Sequence, residues 1–121
     1  LLNRSSDLCH CVNCQVSALR LDRRAADPRD PEGAKYPVVA LLSAMRRERK
    51  HGVISLGLLR EDHQLQWVDE VEVTGPDVLF GYSCMAELED GRLAVLYESS
   101  EDARWSSGLQ RMYYTELEPL G

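Results

Sequence analysis

The sequence contains no apolar run approaching the roughly 18 residues that cross a bilayer as a helix, and no basic stretch followed by an apolar one at its start. It has no excess of basic residues. The formal net charge is −6, which argues against general affinity for nucleic acid or an anionic membrane surface. Helical periodicity is missing over any window of about eleven residues or more, which removes amphipathic helices as building material. Cysteine is sparse, and Cys9-His10-Cys11-x-x-Cys14 lacks the second C-x-x-C or H-x-x-x-H pair that would complete a zinc site. A small zinc-stabilised β domain built on that cluster is the weaker reading; buried thiols or a disulfide are simpler. The chain also opens on Leu1-Leu2-Asn3 without a methionine, in text that already reads as a strand end. We expect a fragment of a longer protein, so the lack of a targeting signal carries no information about compartment.

What is present is the composition of a globular domain. Of 121 residues, 44% are apolar and 28% charged, which separates the chain from disordered sequences. One domain of this size buries roughly two-thirds of the surface of its unfolded chain. Short runs of strand length recur between turn residues. Cys11 to Leu21 alternates, with Val12, Cys14, Val16 and Ala18 on one face, while Val38 to Ala44 and Gly52 to Leu59 are continuous apolar runs suited to inner strands. Leu65 to Val73 alternates as Leu65, Trp67, Asp69, Val71 and Val73, and Leu109 to Leu117 closes the series. The prolines and charges of Asp22 to Pro37 mark a surface loop, the basic cluster of Arg46, Arg47, Arg49, Lys50 and His51 is predicted as a turn, and Thr74-Gly75-Pro76-Asp77 breaks the next strand. Short strands with turns between them predict an all-β fold. At about 40 to 50 residues per four-stranded blade, the length suits about two to two and a half blades of a β-propeller, with a sandwich as the alternative.

The rest of the chain is organised around Phe80 to Glu98, FGYSCMAELEDGRLAVLYE. Cys84 to Leu88 and Leu93 to Tyr97 read as hairpin strands, and Glu89-Asp90-Gly91-Arg92 as their turn, with Gly91 supplying the positive φ. Tyr82 stands just before the first strand and Glu98 closes the second. The pattern G-Y-S-x-(M/L)-A-x-L-x-D-G-x-(L/I)-x-x-L-Y-E in this stretch resembles the C-terminal signature of the exo-α-sialidases. Leu2-Asn3-Arg4 resembles the family's L-N-A-R segment, shorter by one residue, and the Cys9-His10-Cys11 run, Pro28-Arg29-Asp30 and Pro37-Val38-Val39 are similar in particular to the lysosomal sialidase branch.

The resemblance implies a six-bladed β-propeller, of which residues 1–121 form a C-terminal portion incomplete at its N-terminus. It implies a retaining exo-α-sialidase, a glycoside hydrolase acting on sialylated glycoproteins, glycolipids or oligosaccharides without cofactor or metal, and a lysosomal or secretory compartment. A carboxylate nucleophile would meet the carboxylate of sialic acid head-on, and these enzymes use tyrosine instead. The matching residue is Tyr82; a phenol's ordinary pKa near 10 means that a base must draw its proton. In the family three arginines hold the substrate carboxylate, because the guanidinium fork stays charged and binds it bidentately. Arg4 matches the second of these and Arg49, ahead of the GVISLGLL strand, the third, with Arg46 and Arg47 as competitors. Glu98 matches a glutamate that orients one of the arginines.

The first arginine, the acid/base aspartate and the glutamate that activates the tyrosine all precede the matched region in the family. The S-x-D-x-G-x-T-W box of the blades is replaced by Arg60-Glu61-Asp62-His63-Gln64-Leu65-Gln66-Trp67, which keeps only an acidic residue and a tryptophan. The chain alone is accordingly expected to be inactive. A sialidase-like module that binds sugar without turnover is the alternative.

Overall fold

The computed structural model describes residues 16–22, 36–100, 105 and 110–118. Arg4, the cluster of Cys9, His10, Cys11 and Cys14, and most of the proline-rich loop lie outside them. The described residues contain seven strands: β1 Ser17–Arg20, β2 Val38–Arg46, β3 Lys50–Leu59, β4 Leu65–Glu72, β5 Ser83–Glu87, β6 Leu93–Ser100 and β7 Gln110–Leu117. They form two antiparallel meanders, a four-stranded sheet in the order β1-β2-β3-β4 and a three-stranded sheet in the order β5-β6-β7. Among these residues no helix is long and apolar enough to cross a membrane.

Alternation sets the inner face. Val38, Ala40, Leu42 and Ala44 of β2 are buried and pair in register with Leu58, Leu56, Ile54 and Gly52 of β3. Leu93 and Val95 of β6 meet that layer from the second sheet, and Leu21 and Phe80 complete it. Burying an aliphatic or aromatic side chain of this kind contributes about 1.5 to 3 kcal/mol. The opposite face of the second sheet exposes Leu96, Met112 and Tyr114.

Three expectations are corrected in detail. The alternation read along β4 places Trp67, Asp69 and Val71 on one side, but a bulge intervenes: Leu56 pairs with Asp69 while Gly57 pairs with Trp67, leaving Val68 as the extra residue. One inserted residue reverses the facing of everything beyond it, so Trp67 lies on the side of the sheet opposite Asp69. The basic turn is shorter than expected, because Arg46 and Lys50 pair with each other as the last rung of the β2–β3 ladder. Glu98 lies within β6 instead of closing it, since the strand runs on to Ser100.

The two sheets meet along β1 and β5, where the Ser17 hydroxyl donates to the Ser83 carbonyl at 2.6 Å and lies 3.0 Å from the Ser83 hydroxyl. The chain leaves the first sheet at its far edge, β4, and enters the second at the strand beside β1. Consecutive meanders joined from the outer strand of one to the inner strand of the next are the blades of a β-propeller.

Candidate functional site

The crossing from β4 to β5, residues 73–82, is fastened along its length. The Gly52 N–H donates to Thr74 Oγ1 at 2.8 Å, the His51 N–H to the Val78 carbonyl at 3.0 Å and the Phe80 N–H to the Arg49 carbonyl at 2.7 Å. The Ser99 hydroxyl donates to the Leu79 carbonyl at 2.7 Å. Phe80 then drops fully into the core, its ring against Gly52 and stacked on Tyr97 with centroids 5.3 Å apart; Tyr97 stacks in turn on Tyr113 at 5.7 Å. Burial first, and then the neighbouring Tyr113, hold the Tyr97 phenol above its ordinary value. The Tyr97 phenol is therefore uncharged at neutral pH. With Phe80 anchored inside, Tyr82 is displayed outside, 54% exposed.

Glu98 brackets the corner between them. Its carbonyl accepts the Gly81 N–H at 2.8 Å, its N–H donates to the Tyr82 carbonyl at 2.8 Å, and its carboxylate lies 3.4 Å from the Tyr82 N–H. Gly81 is buried and has no room for a side chain: a Cβ there would collide with the Glu98 carboxylate and lie 3.0 Å from Trp105 Cη2. The glycine before the tyrosine thus lets a carboxylate and an indole close on the backbone beneath the phenol.

The β2–β3 turn supplies the cation. Glu48 and Arg49 both have positive φ, 66° and 58°, and so does His51 at 66°, a conformation side chains adopt only at a cost. The Arg49 guanidinium lies 5.8 Å from the centroid of the Tyr82 ring, within cation–π range. Arg46 is engaged elsewhere, 3.5 Å from Asp77. Arg49, Tyr82 and Glu98 are therefore brought to one corner, and Arg4 lies outside the described residues. Among the described residues no group of three or more His, Cys, Asp or Glu is arranged to hold a metal ion.

Glu87 and Asp90 have local duties. The Glu87 carboxylate accepts the Asp22 N–H at 2.9 Å, and Asp90 binds Arg92 in the hairpin turn. A cavity of about 420 Å³ lined by Ser55, Trp67, Val68, Asp69 and Glu70 opens at the β4 bulge and includes no residue of the Tyr82 corner. Sequence reasoning missed the strained turn and Trp105, whose indole N–H donates to the Glu48 carbonyl at 3.0 Å. Trp105 sits in a polar stretch without periodicity, so nothing local distinguished it.

No protein-family model matches the chain. An anhydrosialidase of Macrobdella decora is 34% identical over 65 residues, 48% of this chain and 8% of the relative. A leech intramolecular trans-sialidase complexed with 2,7-anhydro-Neu5Ac superposes with a TM-score of 0.66 and 27% identity over 87% of this chain and 16% of its own. The intramolecular trans-sialidase of Ruminococcus gnavus, in complex with oseltamivir carboxylate, gives 0.66 and 26% over 87% and 22%. The NanB sialidase of Streptococcus pneumoniae gives 0.64 and 27% over 87% and 15%. The chain spans less than a quarter of the length of each of these proteins. Over part of their length, this chain is similar to sialidases and intramolecular trans-sialidases, in sequence for the anhydrosialidase and in both sequence and fold for the other three.

Proposed function

We propose that residues 1–121 form one portion of an exo-α-sialidase propeller domain, supplying the nucleophile Tyr82, the carboxylate-binding arginines Arg4 and Arg49, and Glu98 as support. The observation that carries this reading is the Arg49 guanidinium held over the exposed Tyr82 ring at 5.8 Å. A fork that binds the sugar's carboxylate beside the phenol brings the anomeric carbon, which bears that carboxylate, within reach of the phenol oxygen.

In the first step Tyr82 Oη bonds to the anomeric carbon, the glycosidic bond breaks with its electron pair passing to the leaving oxygen, a base takes the phenolic proton and an acid protonates the leaving group. Water then displaces the tyrosine with overall retention. The proton-transfer groups come from outside the matched region, so this chain alone is expected to release no sugar. Membership of the lysosomal branch, and with it a lysosomal or secretory compartment, is part of the same proposal. It rests on Cys9-His10-Cys11, Pro28-Arg29-Asp30 and Pro37-Val38-Val39.

A second reading is favoured by the names of the relatives, which include an anhydrosialidase and two intramolecular trans-sialidases. In it a hydroxyl of the bound sugar, in place of water, displaces Tyr82. The mass of the sugar released by a longer protein carrying this chain separates the two, the anhydro product being lighter by one water.

The common core is tested by titrating the ¹⁵N-labelled chain with N-acetylneuraminic acid. Arg49 and residues flanking Tyr82 are expected to shift, and Arg49→Lys, which keeps the charge but loses the fork, is expected to weaken binding about tenfold, about 1.4 kcal/mol. Shifts confined to Trp67, Val68, Asp69 and Glu70, or release of a fluorogenic sialoside by the chain alone, would overturn the assignment of roles.

A further inference from the structure

We propose that Trp105 is a positioning residue that fixes the distance between Arg49 and Tyr82, an inference that rests on the reading of those two residues given above. Its indole N–H donates to the carbonyl of Glu48 at 3.0 Å, and the far edge of its ring lies where a Cβ of Gly81 would be 3.0 Å away. Those are the residues immediately before Arg49 and before Tyr82. One rigid side chain therefore spans the two backbones at the points from which the cation and the phenol depart.

The turn needs such a brace. Two successive residues with side chains, Glu48 and Arg49, are held at positive φ, and each costs roughly 1–2 kcal/mol relative to ordinary backbone. The carbonyls of both strained residues are taken up from outside the turn: Arg49 by the Phe80 N–H at 2.7 Å and Glu48 by Trp105. The first bond ties the turn to the crossing segment through its inner carbonyl. The second stops its outer carbonyl from rotating back toward relaxed geometry, a motion that would swing the Arg49 side chain away from Tyr82. An indole suits this work because it has few torsions to freeze and one directed donor.

The test reads Arg49 directly and needs no ligand. In the ¹⁵N-labelled chain the Arg49 Nε–H proton is expected to carry a ring-current shift from Tyr82, to be identified by its loss in Tyr82→Leu. Trp105→Phe keeps an aromatic ring near Gly81 but has no N–H for Glu48. It is expected to abolish most of the Arg49 shift and to speed exchange of the Phe80 amide, while the amides of Leu56 and Val95 stay as protected as before. Gly81→Ala, which displaces the same indole from its other end, is expected to give the same loss. An unchanged Arg49 shift in both variants overturns the proposal, and so does general loss of core protection in Trp105→Phe, which would make the residue a structural element only. If the Arg49 shift behaves as expected but N-acetylneuraminic acid does not bind, the sialidase roles fail and the brace stands; sugar binding with an unmoved Arg49 gives the reverse.

Discussion

Two of the short turns that join antiparallel strands among the described residues are closed by opposite means. The β5–β6 turn satisfies its backbone within residues 88–92, while the Arg92 side chain also reaches Glu116 of β7. The Leu88 N–H donates to the Arg92 carbonyl at 2.8 Å, the Gly91 N–H to the Leu88 carbonyl at 3.0 Å, and Asp90 accepts from the Arg92 backbone at 3.1 Å and its side chain at 2.7 Å. The positive φ falls on Gly91, at 89°, where it costs little. The β2–β3 turn instead puts positive φ on Glu48 and Arg49, and carbonyls there accept bonds from Phe80 and Trp105, far away in sequence. A turn that satisfies itself follows from its own residues. A turn held against its preferences by distant segments is placed by the fold, and what it carries here is the arginine over Tyr82.

The comparison is broken most heavily by removing the anchor through which the outside hold is delivered. Phe80 is fully buried, packs on Gly52 and Tyr97, and its N–H bonds to the strained turn. Phe80→Ala is expected to cost about 3–5 kcal/mol, the range for truncating a buried aromatic, read as a lowered denaturant midpoint. Amide exchange should rise at Lys50 and His51 more than at Leu88 and Gly91. Equal loosening of both turns would show that the β2–β3 turn does not depend on the crossing segment.

The difference between the turns also marks what could be read in advance. The hairpin around Gly91 is local, so spacing and turn chemistry place it within a residue or two, and the apolar runs at Val38 to Ala44 and Gly52 to Leu59 are long enough to declare β2 and β3. Tyr82 and Glu98 were legible through the pattern that links them, and they share a corner because β5 and β6 pair. Three features were not. The bulge at Val68 leaves no mark in an alternating text, and it moved Trp67 to the other face. The strain at Glu48 and Arg49 is invisible because their residue types do not ask for it. The approach of Trp105 to Gly81 joins segments that only the folded chain brings together.

A smaller test exchanges the residues that bear positive φ. Glu48→Gly gives the strained turn a residue at ease there and is expected to stabilise the chain by about 0.5–1 kcal/mol, the lost pairing with Lys50 contributing little because the Glu48 side chain is largely exposed. Gly91→Ala does the converse and is expected to destabilise by about 1 kcal/mol. Thermal or denaturant unfolding of the two variants should therefore move in opposite directions. A loss of stability in Glu48→Gly would mean that the conformation is one its residues favour, and the contrast between the turns would dissolve.

The smallest effect expected is electrostatic and belongs to the self-contained turn. The Arg92 backbone N–H, and then its side chain, hold the Asp90 carboxyl below its ordinary value of 3.8. Folding thus favours the ionised form, so the contribution is complete above that ordinary value and is lost as pH falls from there through the depressed folded value. Both groups are exposed, which keeps the contribution small and makes it sensitive to salt. Asp90→Asn should unfold slightly earlier than the parent near neutral pH, and the gap between their denaturant midpoints should close as the solution is acidified below about pH 4. No comparable closing is expected for Glu48→Gly, whose effect is conformational. A gap for Asp90→Asn that stayed constant down to that range would assign the turn's stability to Gly91 and the backbone bonds alone, which sharpens the contrast with a turn that puts positive φ on Glu48 and Arg49 and has their carbonyls bonded from distant segments.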